Sequence, residues 1–292
     1  MGLKMDIYGI IGYPIKHSLS PAMHNAAFKK LGIDAEYRKF EVRPKDLKDF
    51  ILNRKEVVGF NITVPHKVEA EKIIKDKGGS VHRQTDPRYI EFSGAINTVK
   101  RDGDIFIYTN TDVSGFMRSL KEDLKFEHKD KNVLLIGCGG AGRAVIAGLT
   151  TGDNSCNKLY IYDINNQTID SAKRFYHGRS CLNKLQFISE EEIPEVIKNC
   201  TLLVNASPVG MKEGDGSPID TGLLHKDLFV YDVVYNRETE LIKNAKLLGL
   251  NCSGGLGMLL YQGVHAFEFW TGKKAPVEVM KQSLLKNFTF QQ

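Results

Sequence analysis

The sequence predicts an α/β protein of two domains, the second of them doubly wound, and three observations carry that reading. Strand-like apolar runs alternate with helix-like segments through residues 132–253. One of those runs, Val133–Ile136, is apolar throughout, as a strand buried on both faces requires, and breaks at once into a glycine-rich turn. After the last strand a long apolar helical stretch, residues 254–270, is expected to return the chain to the first domain. A chain of 292 residues accommodates two domains of ordinary size.

Composition narrows the class. Hydrophobic residues are 42% and charged residues 26% of the chain, close to the globular average, which argues against disorder or a fibrous protein. Lys and Arg exceed Asp and Glu by 40 − 35 = 5, spread without runs, so nucleic acid is not implied and small anionic ligands are suited. No apolar stretch reaches a membrane span, and Met1–Asp6 lacks an apolar signal core, so a cytoplasmic protein is expected. Cys138, Cys156, Cys181, Cys200 and Cys252 are scattered without C-x-x-C spacing, which reads as reduced thiols and no metal site.

Taken in order, residues 6–12 form a short apolar strand ending in glycine. A helix follows from Ala22 to about Leu31; Pro21 at its first position makes Ser20 the expected N-cap. Ser18 has no such duty, and two hydroxyls beside free helix-start N–H groups would make a compact carboxylate cradle. A strand at 36–42 and a helix at 45–53 lead to Val57–Lys67, a strand stopped by Pro65. It carries Asn61 and Thr63 on alternate positions, with Lys67 just beyond. A lysine after a strand is ordinarily a solvated charge, but these polar neighbours on an apolar strand favour a shared site. His66, with no visible partner, reads as surface.

A helix at 68–77 is followed by 78–91, whose Gly78-Gly79 and Asp86-Pro87 suggest a mobile loop. A hairpin turning at Asp102-Gly103 then leaves Asn97 and Asp112 at strand termini. A helix from Val113 to Leu124 places the domain boundary near 113.

Gly137, Gly139 and Gly142 fit the G-x-G-x-x-G spacing: tight turn, close approach of backbone to a pyrophosphate, and packing of helix on strand. Alone, such a loop also fits an ordinary turn. Here Lys158–Tyr162 supplies the next strand and ends in Asp163, twenty-one positions after Gly142, where a ribose-binding acid belongs. The combined pattern predicts a dinucleotide-binding Rossmann domain over 114–253, against a plain βαβ unit without ligand. The first domain is then 1–113, completed by 254–292. Within the second domain, strands near 185–188, 202–206 and 229–235 and helices at 169–176, 191–198 and 241–248 continue the alternation.

The chain also resembles the shikimate dehydrogenase family, which includes the quinate/shikimate dehydrogenases. The resemblance rests on His17–Pro21 with His24-Asn25, Asn61–Lys67, Gly94–Thr98, Asn110–Asp112, Gly137–Ala141, Asn205–Met211, Asp232–Tyr235 and Gly257–Gln262. It implies reversible hydride transfer between 3-dehydroshikimate and shikimate, with the substrate in the cleft between domains. By that likeness Lys67 and Asp112 are the acid/base pair. Ser18 and Ser20 hold the substrate carboxylate, Asn61, Thr63, Asn97, Asp112 and Gln262 hold hydroxyls, and Tyr235 closes on the substrate. Gly137, Gly139, Gly140, Ala141 and Gly142 form the phosphate loop, and Ala206, Ser207, Val233, Gly255 and Met258 lie at the nicotinamide.

The family pattern breaks in three places. An arginine that meets the 2′-phosphate of NADP is common after the second Rossmann strand, whereas this chain runs Asp163-Ile-Asn-Asn-Gln-Thr168, with no arginine in the ten residues after Asp163. The expected cofactor is NAD or NADP, with NAD preferred through Asp163. The segment between Lys67 and Asn97 is longer than usual, and Arg237 stands where proline is common. The leading expectation is a shikimate dehydrogenase of aromatic amino acid biosynthesis, monomer or homodimer. The alternatives are an NAD-dependent quinate/shikimate dehydrogenase of quinate catabolism and a catalytically silent NAD-binding sensor.

Overall fold

The structure, a computed structural model, describes residues 5–289. The first four residues of the N-terminal domain assignment and the last three of the C-terminal one lie outside that range. The chain separates into two compact units: one comprises residues up to Ile90, Gly94–Thr111 and Leu260 onward, the other Glu91–Ser93 and Asp112–Leu259.

In the first unit β1 (Asp6–Gly12), α1 (Ser20–Leu31), β2 (Ala35–Glu41), α2 (Leu47–Asn53), β3 (Val57–Ile62) and α3 (Lys67–Asp76) build a parallel core. The elements β4 (Ser80–Val81), α4 (Pro87–Ser93, its last three residues in the second unit), β5 (Thr98–Asp102) and β6 (Ile105–Thr109) follow. The six-stranded sheet has the order β2-β1-β3-β5-β6-β4, parallel except where β5 runs against β3 and β6. Its core gathers Ile11, Phe50, Phe60, Ile96, Val99 and Phe106.

The second unit opens on α5 (Thr111–Glu122), whose first residue belongs to the first unit. Next come β7 (Asn132–Ile136), α6 (Gly140–Thr150), β8 (Lys158–Tyr162), α7 (Asn166–Tyr176) and β9 (Leu185–Phe187). After them stand α8 (Ile193–Val196), β10 (Leu202–Asn205), β11 (Phe229–Asp232), α9 (Glu240–Leu247) and β12 (Cys252–Ser253). All six strands are parallel, in the order β12-β11-β10-β7-β8-β9. The order reverses beside β7, and such a switch point at the strand carboxyl ends is where open α/β sheets take ligands.

The last helices are α10 (Leu256–Thr271) and α11 (Val277–Thr289), and from Leu260 onward they belong to the first unit. Trp270 of α10 is buried among Tyr8, His24 and Tyr37, and its indole N–H donates to the Val99 carbonyl at 2.9 Å. The Ser283 hydroxyl of α11 donates to the Ala22 carbonyl of α1 at 2.9 Å. Among the described residues no helix is long and apolar enough to cross a membrane.

Several local expectations are corrected. The stretch 78–91 is not an irregular loop: Ser80–Val81 pairs with β6, and Asp86 caps α4 by accepting from the Arg88 N–H at 2.9 Å. His66 is not on the surface; it is 1% exposed, with Nε2 at 2.7 Å from the Val42 carbonyl. Strand β11 stops at Asp232, so Tyr235 stands in the connection after it. The expected helix at 191–198 is broken into a 3₁₀ turn, the four residues of α8 and a second 3₁₀ turn.

Candidate active site

The first unit carries the predicted residues Ser18 and Ser20 after β1, Asn61 and Thr63 at the end of β3, Asn97 just before β5 and Gln262 on α10, while Asp112 and Tyr235 belong to the second. Helix α1 begins at Ser20 itself, with Leu19 in the N-cap place and no side-chain cap. The expected Ser20 cap is therefore wrong, because the helix starts one residue earlier than the proline pattern implied. The Ser18 hydroxyl instead accepts from the Ser20 N–H at 3.3 Å, which sets the two serines side by side. Ser20 is 3% exposed, and its hydroxyl hydrogen-bonds the buried Tyr37 phenol. Burial drives that phenol well above its ordinary range, against the smaller opposing effect of Ser20.

Asn61 ends β3 almost fully buried. Its Oδ1 accepts from the Tyr37 hydroxyl at 2.7 Å, and its Nδ2 donates to Thr98 Oγ1 at 2.9 Å and to the Asn97 carbonyl at 3.3 Å. Asn97 Oδ1 in turn accepts from the Thr111 N–H at 2.7 Å, from the Thr98 hydroxyl at 3.0 Å and from the Thr111 hydroxyl at 3.1 Å. Asn97 thus caps α5 from a distance, one residue before Asp112, which lies in the first turn of that helix. Thr63 follows β3, its N–H donating to Ile11 O at 2.9 Å, and half-buried Lys67 is the first residue of α3. Gln262 sits on α10, 8% exposed.

In the second unit the glycine loop follows β7. Gly137 has φ 92°, and a Cβ there would stand 2.6 Å from the Ser207 nitrogen; at Gly142 it would stand 2.1 Å from the Gly137 carbonyl oxygen. Only glycine fits either place. Beside Gly139 and Gly140, by contrast, the space is open, as close approach of a phosphate to the backbone at the start of α6 requires. Cys138, between Gly137 and Gly139, is fully buried, its thiol pushed up to about 11 chiefly by that burial.

Asp163 reaches back to this loop. One carboxylate oxygen accepts from the Cys138 N–H at 2.8 Å and the other from the Asn165 N–H at 2.9 Å. Each oxygen keeps a lone pair for a further donor. A groove of about 570 Å³ is lined by Gly137, Gly139, Asp163, Ala206 and Ser207, together with Ile164 and Glu190. Its charged lining is acidic throughout: Asp163, Glu190 and Asp220. Of the basic side chains on α6 and α7, Arg143 stands 4.8 Å over the Phe175 ring and Lys173 5.9 Å over the Phe187 ring. The shape, the open glycines and the carboxylate at the end of β8 fit a dinucleotide.

Gly140, Ala141, Gly142, Val233, Gly255 and Met258 do not line that groove. Gly255 donates its N–H to the Val234 carbonyl at 3.0 Å and so lies against the connection that bears Val233 and Tyr235. Tyr235 is half-buried, its phenol raised by desolvation.

Three residues that order these loops had no role assigned from the sequence. Asp232, fully buried and pushed upward by that burial, accepts from Thr239 Oγ1 at 2.6 Å, from the Val234 N–H at 3.0 Å and from Asn205 Nδ2 at 3.0 Å. Asn205 Oδ1 accepts from the Ser207 hydroxyl at 2.7 Å and its N–H at 3.1 Å. Polar residues closing the apolar strands β10 and β11 were the available signal.

Residues 10–83 match the model of the shikimate dehydrogenase substrate binding domain, and 255–285 match that of the shikimate 5'-dehydrogenase C-terminal domain. A relative from Methanocaldococcus jannaschii, named shikimate dehydrogenase (NADP(+)), is 37% identical, covering 98% of this chain and 98% of its own. The crystal structure of shikimate 5-dehydrogenase from Listeria monocytogenes in complex with shikimate and NAD superposes with TM-score 0.84 at 32% identity, over 96% of each chain. Quinate dehydrogenase from Corynebacterium glutamicum in complex with NAD gives TM-score 0.83 at 31% identity, over 96% of this chain and 98% of its own. With likeness of this extent through both units, the chain belongs to the shikimate dehydrogenase family.

Proposed function

We propose that the protein reversibly interconverts 3-dehydroshikimate and shikimate by hydride exchange with a nicotinamide cofactor. The observation that carries this reading is the near full-length likeness to proteins named for that activity. When bound, the cofactor supplies or accepts the hydride. Forming an alcohol from a ketone also needs a proton at the carbonyl oxygen, from a donor within about 3 Å. Lys67 is the proposed donor, its ammonium offering three N–H groups, and Asp112 is the carboxylate that orients it. Ser18 and Ser20 hold the carboxylate of the substrate, Asn61, Thr63, Asn97 and Gln262 its hydroxyls, and Tyr235 covers it.

The proposed cofactor is NAD in preference to NADP, held by Gly137, Gly139, Gly140, Ala141 and Gly142 with Asp163 at the ribose. Ala206, Ser207, Val233, Gly255 and Met258 are placed toward the nicotinamide. A 2′-phosphate carries about −1.5 to −2 charges and would enter a groove whose charged lining is entirely carboxylate. The protein is proposed to work in the cytoplasm, as a monomer or homodimer, on small molecules alone.

Likeness to an NAD complex of quinate dehydrogenase favours a second reading, in which quinate is also oxidised. Absorbance of reduced nicotinamide, followed with shikimate and quinate against NAD and NADP, tests both. Fastest reduction with shikimate and NAD is expected. Faster turnover of quinate transfers the assignment to the second reading, and no reduction with any pair leaves the silent sensor.

A further inference from the structure

Tyr37 lies on β2, an edge strand, yet is 1% exposed and held on every side. Asn25 clasps its backbone, with Oδ1 accepting from the Tyr37 N–H at 2.8 Å and Nδ2 donating to the Tyr37 carbonyl at 3.0 Å. The His24 ring stacks on the phenol at 4.3 Å and 11°. Neither His24 nitrogen has a hydrogen-bond partner among the described residues, so this imidazole serves as a flat apolar wall. Such a cage leaves the hydroxyl two partners, the Ser20 hydroxyl and Asn61 Oδ1, and it is to Asn61 Oδ1 that it donates, at 2.7 Å.

That bond distinguishes the two ends of the Asn61 amide. A phenol hydroxyl aimed by its cage donates to oxygen and cannot donate to an NH₂ group, so the amide is locked in one flip. Both Nδ2 hydrogens then face internal acceptors, Thr98 Oγ1 and the Asn97 carbonyl. What remains on the Asn61 side chain is the second lone pair of Oδ1, which can only accept. The locked amide also anchors Thr98, whose hydroxyl shares a 2.9 Å bond with Thr111 at the start of α5.

We infer that Tyr37 is a positioning residue: its hydroxyl fixes the flip of Asn61, so that the site receives a ligand hydroxyl as a donor to Asn61 Oδ1. This rests on the substrate role proposed for Asn61 and adds how that role is enforced. Loss of the phenol hydroxyl leaves the flip to the weaker 3.3 Å bond with the Asn97 carbonyl and loosens the aim of Oδ1. The cost falls on ligand recognition and not on proton transfer, so KM should change while kcat does not.

The test is steady-state kinetics of Tyr37→Phe, Asn61→Ala and the double variant. Tyr37→Phe should raise KM for shikimate about three- to tenfold, the usual worth of one hydrogen bond, with kcat and KM for NAD unchanged. Because Tyr37 acts through Asn61, the double variant should be no worse than Asn61→Ala alone. Thr98→Val, which removes the next link, should reproduce the KM effect and serves if Tyr37→Phe does not fold. An unchanged KM in both Tyr37→Phe and Thr98→Val, with KM raised in Asn61→Ala, overturns the positioning role and leaves the substrate reading standing. Effects that multiply in the double variant overturn it as well. An unchanged KM in Asn61→Ala overturns the substrate role of Asn61 and the positioning role with it.

Discussion

The two units hold their functional groups by different means. In the first, side chains position side chains: Ser20, Tyr37, Asn61, Thr98, Asn97 and Thr111 form a continuous buried chain of hydrogen bonds. In the second, the backbone does most of the positioning, through glycines that admit no Cβ and carboxylates that tie loops by their N–H groups. The contrast matches the chemistry proposed for each. A polyhydroxylated acid must be recognised group by group, whereas a pyrophosphate asks for backbone donors and room. Substitutions in the first unit should therefore act on substrate terms, and those in the second on cofactor terms or on folding.

The largest expected effect is in the first unit. Lys67→Ala should lower kcat by about 10²–10⁴ while KM for NAD stays put, because an acid/base group is lost without touching the glycine loop. Retention of more than about a tenth of kcat would remove Lys67 from that role.

Next is the cofactor groove. Asp163→Asn removes the charge but keeps an acceptor, and should improve kcat/KM for NADP relative to NAD by about tenfold to a hundredfold. A wild type that already prefers NADP, or a ratio unmoved by the substitution, sinks the assignment.

Two glycines sharpen the contrast within one loop. Gly142→Ala drives a methyl group into the Gly137 carbonyl and should cost about 1–3 kcal/mol of stability or more. Gly139→Ala meets nothing within 4 Å and has ordinary backbone angles, so its melting temperature should hold while KM for NAD rises. Equal melting temperatures for the two variants would refute this division.

The effect that is smallest at neutral pH is in acid stability. Burial alone holds His24 down to about 3, against about 6.5 for an unfolded histidine. Above about pH 6.5 both states are neutral there and its contribution is complete; as pH falls toward 3 only the unfolded chain takes up the proton, so stability is lost. His24→Phe should flatten the urea-denaturation stability curve over that window by up to about 1.4 kcal/mol per pH unit. Parallel curves for both proteins would show that His24 does not contribute.

What could be read from the sequence was what short-range chemistry decides. Val133–Ile136, the glycines after it and Asp163 announce β7, its loop and β8 because strand, turn and acid lie within one βαβ unit. Asn61 and Thr63 stood out as polar positions on an apolar strand. The misreadings involve partners distant in the chain: His66 is buried by the Val42 carbonyl, and Ser80–Val81 becomes a strand only by pairing with β6. Local pattern predicts a cap at Ser20, whereas its hydroxyl engages Tyr37 on a neighbouring strand. Nothing local in Ala35–Glu41 marks Tyr37 as the residue that fixes Asn61, since the distance between them is set by the sheet.

The position of Trp270 makes the molecule its own spectrometer. It is the chain's one tryptophan, and it sits entirely within the first unit, ringed by Tyr8, His24 and Tyr37. Light absorbed selectively by indole therefore reports on the substrate-binding unit, while the parallel-sheet unit stays dark. A denaturation curve followed by that emission records the first unit's melting, and far-ultraviolet ellipticity records both units together. Coincident curves mean that the two units unfold as one cooperative body, and a gap between them separates the two stabilities without dissecting the chain.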